Sequence, residues 1–375
     1  MIRSSTTPKT ELTLLLTPLK LQFGAKLPAS NFMSATCRIR ISLSRFSLSL
    51  DRVSRMFMQR RGWISTACLV AAVWLSGLAA ASGQDNKADA KIPDPEDITR
   101  DSKDGVVLRM TYFPGTLGKK SAPVILLHGW GGQRGDMEPL AKYLQSLGHT
   151  CLSVDLRGHG ESVKGKFTEK NGETGFKDLD KNDFQKAHME AMALDVEAAK
   201  KFLLDKNNAG ECNIEALGIV ACDVSCLVAM RWSIHDWSVQ NLPAFKLGQD
   251  VKALVLLSPV NSHKAYVAPD FFTNPYTRKN ISVLLAAGEE DAKSVSEIKR
   301  LNSKLQSFHP KPSGNRELDA KTQDLFLVEA PKTNLGGAKL LTPVLPVMKN
   351  IGVFFNLRLV EKQDTYTWSE RRSPL

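Results

Sequence analysis

Between Asn213 and Trp232 the sequence reads NIEALGIVACDVSCLVAMRW, and no other stretch of the 375 residues limits the fold as tightly. An uncharged apolar run, Ala216 to Cys222, passes without a gap into a helical pattern carried by Leu227, Val228 and Met230. A buried strand must therefore turn directly into a helix. A turn that sharp has room only for small residues around its tip, and Ala221, Ser225 and Cys226 supply them. The residue at the tip is Asp223.

The rest of the body supports the same architecture. Val106 to Phe113 reads as an early strand, and the apolar run Pro123 to Leu127 breaks into His128, Gly129, Trp130, Gly131 and Gly132, a buried strand ending in a glycine-rich loop. Glu138 to Leu147 reads as a helix stopped by Gly148. A strand, TCLSVDL, then runs into Arg157, Gly158, His159, Gly160, Glu161 and Ser162, followed by a charged insertion over 163–183 and a long helix from Asn182 to Lys206. Three more buried strands follow in VKALVLLSP, ISVLLAAGEED and DLFLVEAP, and a closing helix starts near Gly337, delayed or kinked by Pro343 and Pro346. Strands alternating with helices imply βαβ units and a mostly parallel sheet with helices on both faces.

Two texts, LLHGWGG and DLRGHGES, together with the strand–turn–helix, resemble the α/β-hydrolase superfamily over residues 106 to about 358. In that family the five elbow positions usually read G-x-S-x-G. Here they read Ala221, Cys222, Asp223, Val224, Ser225. About 20 residues separate the strand ending near Pro259 from the one beginning at Ile281, too few for a helical lid. The resemblance therefore implies the lidless esterase, lipase and serine-aminopeptidase branch.

It also implies where chemistry should be. The oxyanion hole would be the backbone N–H groups of Trp130 and Val224, and the orienting acid would be Asp291. The base should lie in APKTNLGGAKLL, but no histidine occurs beyond His309, and Leu335 or Asn334 occupies its place. Asp223 has two readings: an attacking carboxylate, or an N-cap that accepts hydrogen bonds at the helix start. His263, after a buried strand, is the candidate substitute base, whereas His128 and His159 read as loop-holding residues. His149, His188, His235 and His309 read as surface or helix residues. Ser225 lies too far into its helix to serve as a nucleophile, and HDW at His235 to Trp237 lies at the wrong end of one. Cys222 and Cys226 stand four apart but have no further ligand near them, so two small buried residues is the expectation; no metal or cofactor is called for. Two functions follow. One is an impaired or inactive family member, a pseudoenzyme, that keeps a pocket for a small-molecule ligand or partner. The other is an active hydrolase of esters or related acyl compounds, with Asp223 attacking and an unusual base.

Charge narrows the partners. The chain has 50 Lys plus Arg against 39 Asp plus Glu, but residues 1–61 hold 11 of the basic residues and 2 acids, leaving 39 against 37 in the remainder. A nearly neutral body lacks the basic footprint of a nucleic-acid binder. Arg60 and Arg61 precede an uncharged segment that ends in Ala79, Ala81 and Gly83, so 56–83 reads as a signal peptide for export to the periplasm or outside, or as an uncleaved membrane anchor. Met56 or Met58 would begin a signal of ordinary length, which leaves residues 1–55 as an upstream extension or a transit peptide. Residues 84–105 read as a linker, 106–360 as the hydrolase-like domain, and 361–375 as a frayed polar tail. Four cysteines, Cys151, Cys212, Cys222 and Cys226, lie in the body, too few and too spread to form a disulfide framework.

Overall fold

A computed structural model describes residues 92–168, 172–243, 245–267 and 270–371. The upstream extension, the leader and the first part of the linker segment lie outside the described residues. Among the described residues, twelve strands and eight α-helices follow in chain order. They are β1 (Glu96–Asp101), β2 (Val106–Phe113), β3 (Pro123–Leu127), α1 (Glu138–Ser146), β4 (Thr150–Val154), β5 (Lys164–Thr168), β6 (Thr174–Asp178), α2 (Lys186–Ala191) and α3 (Ala193–Asn208). Then come β7 (Leu217–Cys222), α4 (Ser225–Ser238), β8 (Val251–Leu257), β9 (Ser262–His263), β10 (Tyr266–Val267), α5 (Thr277–Asn280), β11 (Ser282–Gly288), α6 (Ala292–Leu305), α7 (Arg316–Thr322), β12 (Leu325–Ala330) and α8 (Val347–Phe355).

The central sheet runs β12-β11-β8-β7-β3-β4-β2-β5-β6, with β1 added on β2. From β12 to β4 every pairing is parallel, while β2, β5, β6 and β1 join antiparallel. The parallel strands are apolar throughout because both faces are covered. On β7, Leu217, Ile219 and Ala221 pack into the core under α3, α4 and α6, and Val220 and Cys222 into the core under α1 and α8. Gly218 lets α8 approach: a Cβ there would meet the Phe355 ring at 3.0 Å and Leu359 at 3.2 Å.

Several expectations need correcting. The segment read as a linker contains β1, which pairs with β2 along its whole length. Only Ile98 is even partly buried in it, so the strand had no alternating pattern to betray it. The long helix is two helices, broken at Met192. Pro346 precedes the closing helix, which begins at Val347 rather than near Gly337. The tail is not frayed up to Arg371. That guanidinium is buried, bonds Glu215 Oε1 at 2.7 Å and pairs with Asp250. Its charge hid it, since a buried arginine cannot be told from a solvated one without its partners.

The charged insertion forms the β5–β6 hairpin, and the segment between β8 and β11 holds only the β9–β10 hairpin and short helical turns. The face above the strand ends is therefore lightly covered. Arg157 of the DLRGHGES text is buried and bonds Asp195 at 2.7 Å and Asp104 at 2.6 Å, so it braces the loop after β4 against α3.

Candidate functional site

The carboxyl ends of β7, β8 and β11 border one cavity of about 1210 Å³, where an open parallel sheet places its ligands. Asp223 ends β7 with φ of 52°, a left-handed conformation that costs a non-glycine residue roughly 1–2 kcal/mol. Its N–H donates to Leu257 O at 2.9 Å, which holds the strained turn against the next strand. The half-buried carboxylate lines the cavity. The N-cap reading of Asp223 is not met. Val224 holds the cap position of α4, and no side chain caps the helix. A capping residue needs an extended backbone, and the elbow denies Asp223 that conformation. Ser225 is turned inward, its Oγ donating to Cys222 O at 2.8 Å and Leu127 O at 3.2 Å, so it does not face the cavity as a nucleophile must. Cys222 and Cys226 are buried free thiols, and burial raises the pKa of both.

The loop after β3 brings Trp130 to the cavity wall. His128 holds that loop: Nε2 accepts from the Leu156 N–H at 3.2 Å, which makes Nδ1 the protonated nitrogen that donates to Gly129 O at 2.7 Å. Burial lowers its pKa. Among the described residues the N–H groups of Trp130 and Val224 have no protein acceptor. Gly129 allows close approach: a Cβ on it would lie 3.3 Å from Asp223 Cβ.

On the other side Asp291 begins α6, with Oδ1 accepting from Ser294 N–H at 3.1 Å. Leu335, one of the two positions expected to replace the base, is 36% exposed, and Asn334 is exposed beside it. The residue that faces Asp291 is Gly336. A Cβ there would lie 3.4 Å from Asp291 Oδ2 and 3.2 Å from Ser258 Oγ. Position 336 is thus one from which a side chain would point at the acid, while Asn334 and Leu335 line the same cavity. Gly288 lets the Thr333 and Leu335 carbonyls sit close against the end of β11, each 2.6 Å from where its Cβ would be, and this sets how near the loop lies to the acid.

Ser258 was also missed. It follows β8 as Asp223 follows β7, with φ of 48°, and its buried hydroxyl has no partner among the described residues. Its sequence signal was slight, a small polar residue before Pro259 at the end of a buried strand. His263 lies in the β9–β10 hairpin and packs against Trp130 with ring centroids 4.3 Å apart and the ring planes tilted by 51°. Its Nε2 is buried and unpartnered, and burial lowers its pKa against the opposing pull of the Asp223 carboxylate. Among the described residues no histidine nitrogen is hydrogen-bonded to Asp223.

Residues 122–214 match a family model described as the alpha/beta hydrolase fold. Two Mycobacterium tuberculosis sequences, from different strains and each described as an uncharacterized protein, are 32% identical over 80 residues, which is 21% of this chain. The match spans 28% of those relatives' length. Among solved structures the chain is similar to a Pyrococcus furiosus esterase, with 18% identity, 71% of this chain and 93% of that one covered, and a TM-score of 0.46. It is also similar to a dienelactone hydrolase from Anabaena variabilis, with 14% identity, coverage of 73% and 99%, and a TM-score of 0.43. Its parallel sheet, the strained turn from β7 into α4 and the matched segment that carries both signature loops make this chain a protein of the α/β-hydrolase fold.

Proposed function

We propose that this protein is a catalytically impaired or inactive member of its fold class that keeps the cavity above β7, β8 and β11 for a small ligand. The observation that carries the reading is Gly336. Acyl transfer in this fold needs an imidazole between the acid and the elbow residue, and the position facing Asp291 has no side chain. The N–H groups of Trp130 and Val224 are then donors beside a pocket with no nucleophile and base pair to use them. Losing the nucleophile or base of a triad costs on the order of a millionfold in turnover.

A second reading rests on His263. Its unpartnered Nε2 and its electrostatic coupling to Asp223 fit an Asp223 carboxylate that attacks an ester or related acyl compound, with His263 activating water. Turnover of p-nitrophenyl esters and haloalkanes by the purified chain separates the two. Rates at background that do not change in Asp223→Ala support the ligand-binding reading. Rates that vanish in Asp223→Ala and in His263→Ala overturn it.

The leader supports export, with the domain acting outside the cytoplasm, or held at the membrane if 56–83 is not removed. N-terminal sequencing of the mature protein after cell fractionation tests this. A cytoplasmic protein that retains its leader would sink it. The near-neutral charge of residues 62–375 supports no role on nucleic acid.

A further inference from the structure

We propose that the outer edge of β6 is an interface on which a second copy of this chain pairs antiparallel, about a two-fold axis through Phe176. β6 is the last strand of the central sheet, and among the described residues no main-chain hydrogen bond reaches its outer side. The β5–β6 ladder fixes which groups are left open. Leu179 N–H donates to Val163 O at 2.9 Å, and Lys177 and Gly175 follow at every second position, so these three turn their main-chain groups toward β5. Thr174, Phe176 and Asp178 therefore turn theirs outward. Lys166, opposite Phe176, confirms the alternation, because its N–H leaves β6 and donates to Gly105 O at 2.7 Å.

An axis through Phe176 sets every open residue against another open one. Phe176 meets its own copy and Thr174 meets Asp178 in both directions, each pair exchanging both of its main-chain bonds. The side chains match in the same register. Phe176, 60% exposed, pairs with Phe176 of the second copy, and Lys166, whose charge Asp101 already meets, flanks the rings at either end. On the other face Lys177 falls opposite Gly175 of the second copy. The Phe167 ring lies across that glycine, 2.7 Å from where its Cβ would be, and is 43% exposed, so it offers the ammonium an aromatic face. An edge lysine ordinarily discourages pairing, but here it has a seat. No like charges are brought opposite each other. A ladder this short lies at the low end of interface sizes and makes a reversible dimer.

Sedimentation velocity of the purified chain under reducing conditions, across the micromolar range, should show a monomer–dimer equilibrium. Phe176→Pro should weaken it by about tenfold or more, since each copy loses a main-chain donor and the aromatic pair goes with it. Proline suits an edge residue whose N–H points away from the sheet, and Gly175 before it is permissive, so the hairpin itself is kept. Phe176→Tyr should leave the dimer intact. Oxidation reads the register: Phe176→Cys should form a disulfide-linked dimer, because directly opposed residues lie about 5.5 Å apart between Cα atoms, within disulfide reach. Lys177→Cys, offset from its own copy, should stay unlinked. A chain that remains monomeric throughout, a dimer unchanged in Phe176→Pro, or linkage of Lys177→Cys in preference to Phe176→Cys overturns the proposal.

Discussion

Asp223 and Ser258 leave neighbouring parallel strands through the same left-handed backbone turn, with φ of 52° and 48°, one residue past the paired Cys222 and Leu257. Neither is glycine, so each turn stores strain that local propensity does not favour. Such strain persists where the surroundings hold it, and here the Asp223 N–H bonds the Leu257 carbonyl while the Ser258 N–H bonds Ala286 O at 2.7 Å.

The strain can be measured directly. Asp223→Gly should stabilise the protein by about 0.5–1 kcal/mol, because glycine adopts this conformation without penalty. Asp223→Val should destabilise it by roughly 1–2 kcal/mol, since a β-branched side chain suits the turn least. Urea midpoints at constant m-value give both numbers. A glycine variant no more stable than the parent would mean that the aspartate's own contacts offset the turn.

The elbow and its neighbours were legible in sequence because geometry writes them in residue size. Ala221, Ser225 and Cys226 had to be small, and the runs at Pro123 to Leu127 and Val251 to Leu257 had to be apolar for a sheet covered on both faces. The opposite wall was not legible to the same depth. The loop from Ala330 to Leu341 has no periodicity, and which of its residues faces Asp291 depends on how closely Gly288 lets it approach. A one-residue change of register there separates exposed Leu335 from Gly336. Strand β1 was hidden for another reason: an exposed edge strand buries almost nothing, so charge alone describes it.

That register has a consequence for rebuilding activity. Asp223→Ser with Gly336→His should place an imidazole between Asp291 and the new hydroxyl and give esterase activity. Its p-nitrophenyl acetate turnover should exceed that of Asp223→Ser alone by about 100-fold or more, the usual contribution of a positioned acid–base group. Asp223→Ser with Leu335→His should stay near the single variant, because Leu335 lines the cavity while 36% exposed, whereas the Cβ direction at position 336 runs to Asp291. If the 335 variant is the active one, the assignment of position 336 is wrong.

Acid should weaken the fold before it reaches the carboxylates. His149 and His159 are buried, and burial lowers the pKa of each to about 4 from an ordinary value of 6.5. The unfolded chain takes up protons as pH falls below about 6.5, whereas the native state refuses them until about 4. The stability these two histidines contribute is therefore complete above the unfolded value and is lost on acidification through this window. Each contributes a slope of about 1.4 kcal/mol per pH unit there. Urea unfolding between pH 7 and 5 should show a steady fall in stability, and His149→Gln should remove part of the histidine slope, the rest coming from His159, His128 and His263. A flat profile in the parent would show that both imidazoles reach solvent.

The end of the chain provides the last test. Arg371 donates from Nε to Glu215 Oε1 and from Nη1 to Lys246 O at 2.6 Å, and it pairs with Asp250, which Lys200 also holds at 2.9 Å. Asp250 and Glu215 are themselves buried, and removing the arginine leaves the two carboxylates with only Lys246 and Lys200 against them in a poorly solvated place. Breaking such a pair from one side costs roughly 3–5 kcal/mol, far more than an exposed ion pair. Arg371→Met should lower the urea midpoint accordingly, and 0.5 M salt should change the parent's stability little, because a buried pair is weakly screened. In Arg371→Met with Glu215→Gln the two losses should not add, since both changes break the same ion pair. A loss below about 1 kcal/mol in Arg371→Met, or strict additivity in the double variant, would return this segment to the status of a loose tail.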